Sequence, residues 1–386
     1  MRILHCLRAP VGGLFRHVAD LARQQVADGH QVGILADAST GGLAADATFA
    51  TLAPLLDLGV TRVRMPRQLG LGDYTALMAT QRLARTLKVD VLHGHGAKGG
   101  AYARLAASRL KRSGYAVKAF YTPHGGSLHF EPGTLQGTLF LGLEQHLAAQ
   151  SDGIIFESAF SQRAYRLKVG VPPCAERVIP NGLLPSDFAA VTPRHDARDV
   201  LFVGELRQLK GVDVLLDALA RIETPHAPTA MIVGGGPDAE SFKARAAALG
   251  LSERVTFPGP MPAQQAFALG RCIVVPSRAE SFPYIVLEAA AATLPMLLTG
   301  VGGIPEITAG LTVPFLIPGD AESLARQLQS FLSTPAPLLL QAEALHDKVA
   351  SRFTVAGMAA EIQEFYRLTA ASSGLAPASR QLLPSG

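Results

Sequence analysis

Two carboxylates in the run from Pro276 to Ile307, Glu280 and Glu288, are separated by seven residues, and their settings differ. Glu280 lies in a polar turn (Ser277, Arg278, Ser281, Pro283) just after the apolar, strand-like segment from Cys272 to Val275. Glu288 falls in the first turns of an Ala-rich helix. A strand, a loop and a helix start present backbone N–H groups and the positive end of a helix dipole to whatever sits above them, which suits a phosphate. Carboxylates beside a phosphate site can hold hydroxyls, so the spacing points to sugar-nucleotide chemistry. A pair of acids at this spacing also arises by chance in helical proteins, and the surrounding motifs carry the distinction.

Two cations belong to the same chemistry. Arg207 and Lys210 follow the strand-like Val200 to Val203 and precede Gly211, where the loop turns into a helix. An isolated R-x-x-K is ordinarily a solvated helix start. At the C-terminal edge of a strand, both cations can converge on one diphosphate. Gly12 and Gly13 open a helix after the first strand and allow a backbone to approach a diphosphate closely, or serve merely as a tight turn. Asp-x-Asp, the usual means of holding a metal against a diphosphate, is absent, so no metal and no cofactor are expected. His93 and His95 suggest a metal pair, but a two-residue separation at a strand end followed by glycine reads better as a loop lining the acceptor side. The run GVGGIP lacks the G-x-G-x-x-G spacing after a first strand and the later acid of a dinucleotide fold, which argues against a dehydrogenase.

The motifs in order resemble the retaining, nucleotide-sugar-dependent glycosyltransferases of family 4, with the two-domain GT-B fold. They are VGGLFRHV (Val11 to Val18), HGHG (His93 to Gly96), TPHG (Thr122 to Gly125), IPNG (Ile179 to Gly182), GELRQLKG (Gly204 to Gly211), VGGGP (Val233 to Pro237), the E-x7-E pair and VGGIPE (Val301 to Glu306). The resemblance implies that His124 lies beside the donor sugar and that Glu280 binds its hydroxyls. It also implies that Glu288 grips the ribose and that Phe282, Tyr284 and Ile285 offer backbone N–H groups to the phosphates. Val255 to Gly259 matches the family's base-contacting position. The chain departs from the family at Glu205, where relatives carry Arg, so that Arg207 takes over that role, and at Pro283, which has no N–H to give. The implied route is retaining transfer in which the leaving diphosphate takes the acceptor's proton, catalysed by His124 and Glu280 in surface polysaccharide or lipid-linked glycan synthesis. A GT-B sugar-nucleotide epimerase or hydrolase and a noncatalytic binding module remain as alternatives.

The elements that must position these residues read as α/β. Short apolar runs alternate with helical patterns, as in parallel sheets with crossover helices. Strands are expected at Met1 to Leu7, Gln31 to Ala36, Val89 to His93, Val117 to Tyr121 and Gly153 to Phe156. A second series follows at Val200 to Gly204, Met231 to Gly234, Val255 to Pro258, Cys272 to Val275 and Met296 to Thr299. A chain of 386 residues suits two domains. The expected organisation is an acceptor-side Rossmann-like domain over 1–180, a Pro-rich linker over 181–199 and a nucleotide-sugar-binding Rossmann-like domain over 200–352. A helix over 353–370 crosses back to the first domain, and 374–386 forms a disordered tail. The two doubly wound domains would face each other across a cleft that gathers the loops named above.

Composition bounds the rest. Three scattered cysteines, Cys6, Cys174 and Cys272, show neither a disulfide framework nor metal-ligand spacing, which suits a reducing compartment. No run reaches the roughly 18 apolar residues of a membrane span, and the apolar part of the N-terminus is too short for a signal peptide. A cytoplasmic protein is expected, with peripheral contact at the inner membrane face. The net charge of +4 is spread without a stripe of interleaved aromatics, so nucleic acid is not an expected partner. The expected partners are a UDP- or GDP-sugar donor and a glycan or lipid-linked acceptor.

Overall fold

The computed structural model describes residues 1–222 and 227–371. The chain divides into two compact units. The first comprises 1–157, 162–179 and the chain from Met358 onward, and the second comprises 158–161 and 180–357.

In the first unit, β1 (Arg2–Leu7), α1 (Gly12–Ala27), β2 (Gln31–Asp37), α2 (Gly42–Leu52), β3 (Val60–Val63), α3 (Leu71–Thr86) and β4 (Val91–His95) follow one another. They continue through α4 (Gly96–Arg112), β5 (Lys118–Thr122), α5 (Leu135–Ala148), β6 (Gly153–Phe156), α6 (Ala159–Lys168) and β7 (Ala175–Val178). The seven strands are parallel in the order β3-β2-β1-β4-β5-β6-β7. Strands such as LHCL, VGILA and AFYT are continuous buried runs, as expected where helices cover both faces of a parallel sheet. The order reverses between β1 and β4, and ligands of open α/β sheets bind beyond the strand C-termini at such a point.

The second unit contains β8 (Arg198–Val203), α7 (Val212–Ala220), β9 (Ala230–Val233), α8 (Ala239–Ala248), β10 (Val255–Gly259) and α9 (Ala263–Phe267). After these come β11 (Gly270–Val275), α10 (Tyr284–Ala291), β12 (Met296–Leu298), α11 (Ile304–Thr308), α12 (Ala321–Ser333) and α13 (Ala336–Arg352). Its five strands are also parallel, ordered β10-β9-β8-β11-β12, and the reversal lies between β8 and β11. Two apolar clusters, one on each side of this sheet, form its core; Val200, Val212 and Ile232 belong to one, Leu201, Ile273 and Leu287 to the other. The last helix, α14 (Val355–Ala371), groups with the first unit from Met358 onward, where Phe365 meets Phe120 of β5 edge-on, Tyr366 packs tilted against the same ring and Arg177 pairs with Glu364.

Four expectations need correction. Strand β4 runs to His95 and starts two residues later than Val89, because Lys88 takes a left-handed turn (φ 48°) and Val89 N–H still bonds Ala84 at the end of α3. Residues 181–199 are not a free linker: Leu183 is buried, exchanges backbone bonds with Phe353 and Val355 (2.8 and 2.9 Å), and Asn181 donates to the Phe282 carbonyl at 3.1 Å. Those contacts tie the segment into the second unit, which also takes in residues 158–161. The last helix opens at Val355, after Phe353 is buried in the second unit's core. The short strands β3 and β7 escape the sequence reading because they carry only half-buried residues or are exposed. The expected tail at 374–386 lies outside the described residues.

Candidate active site

In the second unit the reversal of strand order sets the loop after β8 beside the loop after β11. Gly211 closes the first of these loops in a left-handed conformation (φ 72°), and a Cβ there would lie 2.1 Å from the carbonyl oxygen of Pro276. Glycine alone permits this approach. It carries Lys210 to Glu280: Lys210 Nζ donates to Oε1 at 2.7 Å and to Oε2 at 2.9 Å. Ser277 Oγ donates to the same Oε1 at 2.7 Å. The Glu280 side chain is only 8 % exposed, so its charge is held by two named donors rather than by water.

Arg207 does not join them. It caps a single 3-10 turn (Gln208–Lys210), is half exposed, and pairs with Glu205 at 3.5 Å. Each cation is engaged by a different carboxylate, Arg207 by Glu205 and Lys210 by Glu280. Arg278, which the sequence reading passed over, braces the same corner by donating to both oxygens of Asp213 at 2.8 and 2.6 Å and to the Gln208 carbonyl at 2.6 Å.

Tyr284 and Ile285 are the first two residues of α10, whose amides have no acceptor within the helix, while the Phe282 and Tyr284 side chains are buried and leave backbone as their polar offering. Pro283 occupies the N-cap position. Glu288 sits one turn into the same helix and is partly exposed. Ser281 Oγ meets Ser161 Oγ at 2.7 Å, and Gly303 N–H donates to the Ser281 carbonyl at 2.8 Å. Glu306, the last residue of VGGIPE, accepts the amides of Ala159 and Phe160 at 2.8 and 2.7 Å. That role for Glu306 has no signal in the sequence, since its partners lie 146 and 147 residues away. An open cavity of about 330 Å³ lies beyond the ends of β8, β9 and β10, lined by Leu206, Gly234, Gly235, Phe257, Pro258 and Gly259 among others. It takes in the segment expected to meet a base.

In the first unit Gly12 opens α1 with φ 60° and Gly13 follows; both are exposed. His124 follows β5 in a left-handed conformation (φ 49°), which a non-glycine residue adopts at a cost and which clusters at functional sites. Its Nε2 lies 3.2 Å from His95 Nδ1, and its ring meets that of His17 edge-on at 4.8 Å between centroids. Burial pushes its pKa down to about 3, so the imidazole is neutral at ordinary pH. His93, expected at the strand end, and His95, expected in the loop beyond it, are both strand residues and buried, and burial lowers both well below the usual imidazole range. Among the described residues, His5, His93 and His95 form one close imidazole group and His17, His95 and His124 another.

Sequence profiles of two families match the chain: "Glycosyl transferases group 1" over residues 197–334 and "Glycosyltransferase Family 4" over 11–186. Among curated proteins, glycogen synthase of Mycobacterium tuberculosis (strain CDC 1551 / Oshkosh) is 28% identical over 387 residues, 91% of each chain. D-inositol 3-phosphate glycosyltransferase of Streptomyces avermitilis is 36% identical over 155 residues, covering 36% of this chain and 33% of that protein. Among solved structures, sucrose-phosphate synthase from Thermosynechococcus elongatus superimposes with a TM-score of 0.77 at 20% identity, over 96% of this chain and 99% of the other. Anabaena Alr3699/HepE in complex with UDP-glucose does so with a TM-score of 0.76 at 22% identity, over 95% and 100%. These likenesses identify the architecture as GT-B.

Proposed function

Because this chain belongs to the GT-B glycosyltransferases of the family 4 type, and is a glycosyltransferase, we propose that it moves a hexosyl group from a UDP- or GDP-sugar to a glycan or lipid-linked acceptor, with retention and without metal. One observation carries the reading: Lys210 and Glu280 are held together at the β8/β11 reversal, in the same unit as the N-terminus of α10 and the cavity at Phe257 to Gly259. Such a corner offers a diphosphate a cation and helix amides, a base an open slot, and a sugar a fixed carboxylate.

In this reading the acceptor oxygen bonds to the anomeric carbon as the bond from that carbon to the diphosphate oxygen breaks, and the departing diphosphate takes the acceptor proton. Lys210, Arg207 and the amides of Phe282, Tyr284 and Ile285 stabilise the charge that grows on the diphosphate. Glu280 steadies the sugar hydroxyls, Glu288 the ribose, and neutral His124 accepts from the donor sugar. Gly12 and Gly13 let backbone close on the diphosphate. The glycogen synthase likeness supports a glycan acceptor. Peripheral contact with the inner membrane face is supported by Leu135, Leu139 and Leu143, which are 93%, 58% and 38% exposed at helical spacing along α5. Among the described residues no helix is long and apolar enough to cross a membrane.

The test is turnover of UDP- and GDP-sugars with and without an added glucan or lipid extract, with the anomeric configuration of the product read by NMR. Donor consumption that is indifferent to every acceptor supports hydrolysis or epimerisation instead, and an inverted product removes the retaining mechanism.

A further inference from the structure

Parallel pairing of β1 with β4 sets His5 opposite His93, and His95 lies two residues further along β4 on the same face. Three imidazoles thus crowd the C-terminal end of the first sheet at its reversal point, and they join into a continuous path. Gln25 Oε1 lies 2.8 Å from His5 Nε2, His5 Nδ1 lies 3.0 Å from His95 Nε2, and His95 Nδ1 lies 3.2 Å from His124 Nε2. A side branch runs from Tyr366, whose hydroxyl lies 2.6 Å from His93 Nδ1, to Thr122, whose Oγ1 lies 2.9 Å from His93 Nε2.

A path of neutral imidazoles has one polarity. Each ring carries a single N–H, so a ring that donates at one nitrogen must accept at the other. Burial keeps His5 at about 4 and His124 at about 3, with His93 and His95 well below the usual range, so no ring gains a second proton at neutral pH. The polarity is decided at the Gln25 end. At 2.6 Å the Tyr366 contact has the length of a hydroxyl donating its proton rather than of a ring N–H donating to oxygen. The Tyr366 oxygen is then an acceptor on its remaining side. Gln25 Nε2 has no partner at ordinary hydrogen-bond length, and the group toward which it acts as a donor at longer range is that oxygen. Its Oε1 therefore faces His5 and accepts from Nε2–H. His5 Nδ1 then accepts from His95 Nε2–H, and His95 Nδ1 accepts from His124 Nε2–H.

We propose that Gln25, acting through His5 and His95, is a positioning residue that holds His124 in its Nε2–H tautomer and leaves Nδ1 as a lone pair for a ligand hydroxyl. This rests on the reading that His124 meets the donor sugar. It makes His124 an acceptor toward that sugar and excludes it as a proton donor.

The experiment is nitrogen-15 NMR of the full chain labelled at histidine, with His124 assigned from the His124→Gln spectrum. In the wild type, His124 Nε2 should show the shift of a protonated ring nitrogen and Nδ1 that of a bare one. Gln25→Leu should leave His124 divided between tautomers and lower kcat on the order of tenfold with donor KM little changed. Gln25→Glu, which keeps an acceptor facing His5, should restore both the spectrum and turnover, and it serves if the leucine variant fails to fold. A wild-type His124 protonated on Nδ1, or a Gln25→Leu spectrum identical to wild type, overturns the proposal. So does a stoichiometric metal ion in the purified protein, which would take the nitrogens of His17, His95 and His124. Spectra that behave as stated, together with normal turnover by His124→Ala, support the relay and remove His124 from the donor site.

Discussion

Lys210 Nζ sits almost symmetrically between the two carboxylate oxygens of Glu280, at 2.7 and 2.9 Å, although the residues are 70 positions apart in the chain. The pair is unequal in exposure, 27% for the lysine side chain and 8% for the glutamate. Removing the cation strands the more buried partner, so Lys210→Ala should lower stability by about 1–3 kcal/mol as well as weaken nucleoside diphosphate binding. The double variant Lys210→Ala/Glu280→Gln should recover stability without recovering affinity. Chemical denaturation and calorimetric titration with UDP separate the two effects, and unchanged UDP affinity in Lys210→Ala would remove the diphosphate role.

Arg207 provides the contrast. It is half exposed and its pairing with Glu205 is long, so Arg207→Ala should change stability by less than about 0.5 kcal/mol. Any fall in its turnover then reports contact with the donor, and normal turnover would assign the whole cationic role to Lys210.

The two acids of the E-x7-E pair should respond differently. Glu288→Gln should raise the dissociation constant of the free nucleotide, at a cost of about 1–3 kcal/mol for ribose hydroxyls left imperfectly paired. Glu280→Gln should lower kcat more than affinity, because contacts to the sugar matter most as positive charge develops at the anomeric carbon. Titration of UDP and of the sugar nucleotide, with turnover in parallel, checks this; equal losses of UDP affinity would refute the division.

Activity should persist in excess chelator, because in the proposed mechanism Lys210, Arg207 and the helix amides stabilise the diphosphate charge that a metal would otherwise hold. Loss of turnover in EDTA, restored by Mg²⁺ or Mn²⁺, is the contrary result.

Acid should destabilise the protein from about pH 6.5 downward. His5 and His124 are held at about 4 and about 3 by burial, and His93 and His95 are lowered too. Below 6.5 the unfolded chain binds protons that the folded chain refuses, so stability rises with pH across this window and falls on acidification. Each such histidine costs about 1.4 kcal/mol for each pH unit between its folded and unfolded values. Urea midpoints measured from pH 7.5 to 5 test this, and His5→Gln should flatten the slope by one group. A midpoint independent of pH in that range would mean that these rings are not refused their protons.

Much of the architecture was legible because parallel strands buried on both faces leave short continuous apolar runs, such as Gly153 to Phe156, that alternate with helical patterns. Legibility failed where a local conformation outweighed hydropathy. The left-handed Lys88 delays the start of β4 by two residues, and the strand runs two residues past its expected end at His93, so that His95 is a buried strand residue. The edge strands β3 and β7 carry Thr61, Arg62, Glu176 and Arg177 and so show no apolar run. Residues 181–199 read as a linker from their prolines and aspartates, but one buried leucine, Leu183, and its backbone pairing decide otherwise.

The sequence by itself determined the order of the motifs, the two-domain α/β class and the residue types at the β8 and β11 loops, since each is a local matter of pattern and spacing. Only the tertiary structure decided which of those residues meet. Lys210 reaches Glu280, and Gln25, His5, His95 and His124 form one path, because non-consecutive strands lie side by side in both sheets: β1 pairs with β4, and β8 with β11. Such pairings follow from crossover connections that bury both faces of the sheet at once, a global requirement that no window of sequence contains.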